Sequence, residues 1–498
     1  MSGTWDITMG DGLAMNPQLE SRLVQMPLEI LLRITYFITT PDLGSVRLTC
    51  RSLERSLFNS FAHEFFRKKQ FMVTTDSLQA LIDISQHPTL SPFLKHVIIT
   101  ADRPNCSQVL HDVTDTRDNE MRARLEMAYA DQMHLLAAGG LRDMLVEAFQ
   151  SLSNLEVVDL RNFNSYTRYR DGPGAAWTSW GAKTLARSTG FAVDSRPYHS
   201  NVQEQYTSQL FAAVIAALAI AQARPKSIEV CMRGRDLAAH SIRDSAFYIL
   251  PRLEAPVSSL LANLKTLHLT LAPLLPVRIS YFMLQRFLSF ATNLKWLRLN
   301  FSNLSRPADH ENLLAWLALR DGKTPAAQFE AAPISLAHLE RLDLGNASVK
   351  PQFILDLVAK FAPTLTSLHL RRVCLSDPQI PLSKDRINIW ERCLKGLARI
   401  KGLSLRVLQL SQISNDFRDY RGRVAFKTAD GGNSQDWTCS ADLMSLDKAI
   451  AQTIAAMDPS WREEPVSSSS DEDGSEEEDE DEQGESDEEG EGSDEEDG

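Results

Sequence analysis

Chemistry at a protein site needs a nucleophile, a base or a metal ligand set held at short range, so histidine and cysteine are the natural start. His111, His134 and His310 each have carboxylates within three positions, a neighbourhood that can tune an imidazole toward proton transfer. Lone histidines on such segments are more often surface or satisfied core groups. No His and Cys pair has zinc spacing, and no HExxH, GxSxG, Walker A or GxGxxG run occurs. The six cysteines, Cys50, Cys106, Cys231, Cys374, Cys393 and Cys439, are scattered and form no CxxC pair. That usage fits reduced thiols and not a disulfide framework. The chain is therefore expected to carry no catalytic residue, no metal and no cofactor.

Recognition is the chemistry that remains. A phrase of the form L-x-x-L-x-L recurs, with good copies opening at Leu155, Leu264, Leu294, Leu339 and Leu365 and weaker ones around Val97, Ile228 and Leu405. Residues two apart on a strand share a face, so paired leucines enter a core while the residue between them faces out. Stacking the copies lines up Asp159, Glu229, His268, Arg298, Asp343, His369 and Gln409 in one outward column. Flanking columns supply Trp296 and Arg341 on one side and Arg161, Asn300 and Arg371 on the other. An exposed tryptophan among arginines has the composition of an interface hot spot. Its cations suit an acidic or phosphorylated segment of a protein partner. Trp296, Arg298, Asp343, His369 and Arg371 are accordingly expected to bind that partner.

Helical segments must separate these strands. Ser77 to Gln86 places Leu78, Leu81 and Ile82 on one face, Gln203 to Arg224 is apolar and ends before Pro225, and Pro351 to Phe361 turns Phe353, Ile354, Leu357 and Val358 inward. The longest insertion runs from Arg161 to Asn201 and includes the turn-rich run Arg170-Asp-Gly-Pro-Gly174. The phrase resembles the strand segment of leucine-rich repeats, which implies an irregular α/β solenoid of stacked units. Arg418, Arg421, Arg423 and Lys427 with Tyr420 and Phe426 read as a solvated loop, too weakly basic for a nucleic-acid site.

The N-terminal stretch carries a second motif. Met26-Pro27-Leu-Glu29-Ile30-Leu31 continues to Ile34, then Asp42-Leu43, Val46-Arg47, Cys50-Arg51 and Leu53 follow. Pro27 suits a first helical turn, Pro41 breaks that helix, and Asp42 is placed to cap the next. A third helix would carry Leu53, Leu57, Phe58 and Phe61. Three short helices hold little core, so the module expects a partner surface. This pattern resembles the F-box, and the following stretch through Thr100 is similar to fungal F-box proteins of unassigned substrate. The resemblance implies a non-enzymatic subunit that recruits protein substrates to a Skp–cullin–F-box ubiquitin ligase. It implies adaptor contacts at Met26, Pro27, Ile30, Leu31, Ile34, Leu43, Val46, Cys50 and Leu53, with Pro27 and Leu31 on an exposed apolar face. The sequence departs from the family pattern at Leu53–Glu54, where many members have tryptophan, and at Met26, usually leucine.

Charge marks off the far end. Of the 65 acidic residues, 19 lie from Asp471 onward, leaving 46 against 52 Lys and Arg upstream and a body of about +6. From Glu463 the composition cannot bury enough apolar surface to offset chain entropy, which predicts disorder. Ser475, Ser486 and Ser493 each precede three acids and are candidate phosphorylation sites. The expected organisation is a flexible N-terminus over 1–22, an F-box over 23–69, a leucine-rich-repeat-like substrate region over 70–462 and the acidic tail over 463–498. The expected fold class is α/β, a three-helix F-box followed by the solenoid and the disordered tail. No run reaches the ~18 apolar residues of a membrane helix, the longest being Leu210 to Ala223 at 14 residues. The expectation is therefore a cytoplasmic or nuclear protein whose partners are the adaptor, through it a cullin, and a protein substrate, with neither nucleic acid nor membrane. Two alternatives stay open: a scaffold that binds the adaptor without degradation, and a nuclear factor that holds basic proteins through the acidic tail.

Overall fold

The computed structural model describes residues 22–104, 119–164, 169–172, 178–190, 205–234, 237–274, 281–302, 305–320, 331–377, 388–417, 420–428, 431–441 and 444–458. All of these belong to one contact unit, residues 1–461. Residues 1–21, the acidic tail with Ser475, Ser486 and Ser493, and also Cys106, His111 and Arg418, lie outside the described residues.

The chain is α/β and is organised by one large, mostly parallel sheet. In chain order the strands are β1 (Lys68–Phe71), β2 (His96–Thr100), β3 (Val157–Arg161), β4 (Ser227–Cys231), β5 (Thr266–Leu271), β6 (Trp296–Phe301), β7 (Arg341–Gly345), β8 (Ser348–Val349), β9 (Ser367–Arg371), β10 (Cys374–Ser376), β11 (Val407–Ser411), β12 (Ser414–Phe417), β13 (Tyr420–Arg423), β14 (Phe426–Lys427), β15 (Asn433–Ser434) and β16 (Asp436–Ser440). The ten-stranded sheet runs β1-β2-β3-β4-β5-β6-β7-β9-β11-β16. Every pair in it is parallel except the last, where β16 lies antiparallel to β11. Parallel neighbours need long crossovers, and helices supply them. These include Thr75–Gln86, Gly140–Ser151, Tyr206–Ala221, Glu254–Asn263, Pro307–Ala318, Pro351–Phe361 and Ile389–Ala398. Ligand crevices of doubly wound sheets open where strand order reverses. Among the described strands of this sheet the order never reverses, so the topology creates no such crevice.

The register follows the leucines. Val97, Val158, Ile228, Leu267, Leu297, Leu342, Leu368 and Leu408 pair in one row across the sheet. All are buried in one continuous core with the inward faces of the helices. Burying each such side chain contributes about 1.5–3 kcal/mol. After β7, β9 and β11 the chain turns at Asn346, Arg372 and Gln412, all with φ of 50–52°. This left-handed kink, repeated at the same position, delivers β8, β10 and β12 to a second sheet of order β13-β12-β10-β8. The basic stretch expected to be a solvated loop instead supplies β13, which pairs antiparallel with β12 just before it. Phe426 beyond it is fully buried and stacks on Trp437, which anchors the segment. Among the described residues no helix is long and apolar enough to cross a membrane.

Ahead of the sheet stand helices α1 (Leu28–Tyr36), α2 (Thr40–Thr49) and α3 (Arg51–Phe66). Pro27 is the N-cap of α1, and its carbonyl accepts from the Ile30 and Leu31 amides. Thr39, not Asp42, caps α2: its hydroxyl accepts from the Asp42 amide and donates to the Asp42 carboxylate at 2.6 Å. The two side chains close a reciprocal turn with Asp42 inside the helix. Leu31, Leu43, Leu53, Leu57 and Phe65 form a small core separate from that of the sheet. The first strand begins at Lys68, two residues inside the stretch expected to be helical.

A single turn from the long insertion, Tyr169–Asp171, fastens these helices to the body. Arg170 reaches Glu64 on α3 with two hydrogen bonds of 2.7 and 2.6 Å. Its other terminal nitrogen donates to the Thr35 and Ile38 carbonyls at the C-terminal end of α1. Asp171 accepts from the Thr40 amide at 2.7 Å and the Thr40 hydroxyl at 2.6 Å at the start of α2. A cation thus meets the negative end of one helix and an anion the positive end of the next. Arg170 is nearly buried while Glu64 is 30% exposed, so Arg170→Ala is expected to cost about 1–3 kcal/mol. Amide hydrogen exchange should rise across residues 28–49 and stay unchanged in β5–β7. Unchanged exchange over residues 28–49 would show that the turn does not hold the helices.

Candidate functional site: the face of the sheet opposite the helices

The pairing register places Asp159, Glu229, His268, Arg298, Asp343, His369 and Gln409 in one row, as the L-x-L spacing predicts. Trp296 lies beside Arg341 in one flanking row, and Asn300 beside Gly345 and Arg371 in the other. The rows exist because each intervening side chain is turned away from a leucine core that cannot shift by one residue without exposing itself.

The insertion after β3 covers the β1 end of this face. Gln70 donates to Ser179 at 3.0 Å, and Asp159 and Ile98 are fully buried. Toward the other end the face opens. There Asp343 is buried and gathers its neighbours: it accepts from Trp296 Nε1 at 3.1 Å and from Arg341 Nε at 2.9 Å. Arg298 Nε lies 3.4 Å from the same carboxylate and His369 Nδ1 lies 4.0 Å away. Arg341 also hydrogen-bonds His369 at 3.0 Å, and His369 meets the Ser367 hydroxyl at 3.0 Å. The Trp296 ring is held between the Arg341 guanidinium, 3.9 Å from its centroid, and the His268 ring, edge-on at 4.4 Å.

Of the five residues expected to bind a partner, Trp296, Arg298, Asp343 and His369 meet in this one network, and Arg371 is exposed on the flanking row. Trp296 is half-buried and not the exposed anchor expected, because its ring reaches diagonally across to Asp343. Asp343 is an internal acceptor rather than a contact surface. The side chains that still present charge are Arg298 and Arg341, each about a third exposed. With one buried carboxylate against two guanidinium groups, this end of the face is cationic.

The β3–β5 end differs. Asp159 pairs with Arg161, and His96 Nε2 lies 3.5 Å from the same carboxylate oxygen. Glu229 accepts from the Ser227 hydroxyl at 2.7 Å and faces His268 Nδ1 at 3.6 Å. Burial alone would raise the Glu229 pKa, but the His268 imidazole, the Ser227 hydroxyl and His96 outweigh it. They hold the carboxyl at about 2. A depressed acid stabilises the fold above its unfolded value, and that contribution fades as pH falls toward the folded one. Cys231 completes a close group of Glu229, Cys231 and His268, with ligand atoms all within 4.8 Å of one another. Spacing rules along the chain miss this group because its members come from two strands, yet the outward row already sets Glu229 beside His268.

The other singled-out histidines stand apart from both groups. His310 is buried, its Nδ1 accepts from the Ser348 amide at 3.0 Å, and burial lowers its pKa. It is a core histidine, and His134 is on the surface.

On the N-terminal helices, Met26, Pro27, Ile30 and Ile34 are exposed, and Val46 and Cys50 are half-buried. Leu31, at 2% exposure, faces inward with Leu43 and Leu53, so Leu31 does not join Pro27 on an exposed face. The reason is helical phase: Leu31 and Thr35 lie on the stripe turned to the small core, and Ile30 and Ile34 lie on the neighbouring stripe, which stays in solvent.

No family model matches this chain, and no curated protein matches it either.

Asp343→Ala removes the acceptor shared by Trp296 and Arg341, and is expected to cost about 1–3 kcal/mol. Gln409→Ala, in the same row but outside the network, should stay within about 0.5 kcal/mol. Urea midpoints measure the difference, and equal midpoints for the two variants would contradict the network.

Proposed function

We propose that the chain is an F-box subunit of a Skp–cullin–F-box ubiquitin ligase, with α1–α3 docking on the Skp-type adaptor and the remainder holding a protein substrate. On this reading the α/β array is an irregular leucine-rich-repeat-like solenoid, and the open face of its sheet is the substrate surface. The chain itself performs no chemistry on the substrate; it brings substrate and ligase together.

The observation that carries the reading is the outward face of α1. Met26, Ile30, Ile34 and Phe37 follow at helical spacing with exposures of 37%, 47%, 41% and 75%. Leu28, Tyr36 and Leu48 add to them, so seven of the fourteen large hydrophobics exposed among the described residues fall between positions 26 and 48. An apolar patch on a module with its own small core marks a protein contact. The motif quoted above names the adaptor as the partner. Arg298, Arg341 and Arg371 favour an acidic or phosphorylated substrate segment on the open face, since guanidinium groups bind carboxylate and phosphate in pairs of hydrogen bonds.

Ile30→Ala with Ile34→Ala tests this without touching the module's core. The double variant should keep its circular dichroism and lose about 2–5 kcal/mol of binding to a purified Skp-type adaptor. Leu31→Ala should instead unfold the module, since it opens the small core. Undiminished adaptor capture by the folded double variant, or no capture by the unaltered chain, would sink the proposal.

A further inference from the structure

The β4–β5 part of the open face holds a group that adaptor binding does not use. Glu229 and Cys231 are two apart on β4 and share a face, and His268 on β5 pairs with Glu229. His268 is 4% exposed; its Nδ1 faces the Glu229 carboxylate at 3.6 Å, and its Nε2 has no hydrogen-bond partner. Buried imidazoles are ordinarily satisfied, so the unpartnered Nε2 calls for an explanation. The ring packs on one side against Trp296, with 4.4 Å between the ring centroids. One Glu229 oxygen is taken by Ser227, and the other turns to His268. Asp159, the next residue in the row, also keeps one buried oxygen without a partner.

We infer that Glu229, Cys231 and His268 form a binding site for a borderline divalent cation of the zinc type. A carboxylate oxygen, an imidazole nitrogen and a thiolate are the donors such an ion takes, at about 2.0–2.3 Å. Two donors on one tetrahedral ion at those lengths stand roughly 3.3–3.6 Å apart. His268 and Glu229 are already 3.6 Å apart. Hard cations such as calcium or magnesium want more oxygen ligands than this group offers. Three protein donors leave a fourth position for a further ligand such as water.

The site does not depend on the adaptor reading, because it lies in the sheet and needs no partner protein.

Titration of the chelator-stripped full chain with cobalt, a spectroscopic stand-in for zinc, tests it. One equivalent should saturate a thiolate-to-cobalt charge-transfer band, and added zinc should bleach it. Cys231→Ser should abolish the band, His268→Gln should weaken cobalt binding at least tenfold, and Cys439→Ser should leave both unchanged. Circular dichroism confirms that each variant is folded, and should Cys231→Ser fail to fold, His268→Gln and Glu229→Gln decide. Absence of the band in the unaltered chain at excess cobalt overturns the site. So does a band that persists in folded Cys231→Ser, or binding unweakened in both other variants.

Discussion

The in-register pairing of apolar side chains across the parallel strands governs everything else in the sheet. From β2 to β11 the same two rows of Val, Ile and Leu are buried together. A slip of one residue in any strand would drive its leucines outward and its Asp, His or Arg inward. The charged row is therefore a by-product of the core: once the leucines are fixed, Asp159 must neighbour Glu229, and Arg298 must neighbour Asp343. The site residues are positioned by apolar burial, and their own electrostatics then decide which of them remain available. Asp343 shows the consequence. Buried in the middle of the row, it draws in Trp296 and Arg341 and leaves the outer edges of Arg298 and Arg341 facing solvent.

A second constraint joins the N-terminal helices to this sheet. Arg170 and Asp171 belong to the insertion after β3, yet their partners lie on α1, α2 and α3. The same insertion covers the first strands through Ser179 and Gln70. One segment thus covers the β1 end of the open face and ties α1, α2 and α3 to the sheet.

Much of this is legible in the sequence wherever the chain repeats a pattern. Leu264-Lys-Thr-Leu267-His-Leu269 and its copies give the strands, their inward residues and the outward row. β1, reading Lys-Lys-Gln-Phe, and β16, reading Asp-Trp-Thr-Cys-Ser, carry no leucine pair and are not legible. Their pairing depends on the edges their neighbours offer. The exposure of Trp296 and the role of Arg170 are also invisible along the chain. The first depends on a diagonal reach between strands, the second on contacts between residues separated by 106 to 135 positions. Leu31 sits between these cases. Its apolar character fits both a partner contact and a core, and only the phase of α1 against α3 assigns it to the core. Cys231, a lone cysteine to any spacing rule, acquires neighbours only through the pairing of β4 with β5.

Amide hydrogen exchange of the full chain, alone and with a purified Skp-type adaptor, tests the central claim most directly. The account predicts slowed exchange over residues 26–37 on complex formation, with β6, β7 and β9 unchanged and their open face left for a different partner. Protection appearing on those strands, or a stable complex with no protection over residues 26–37, would contradict it.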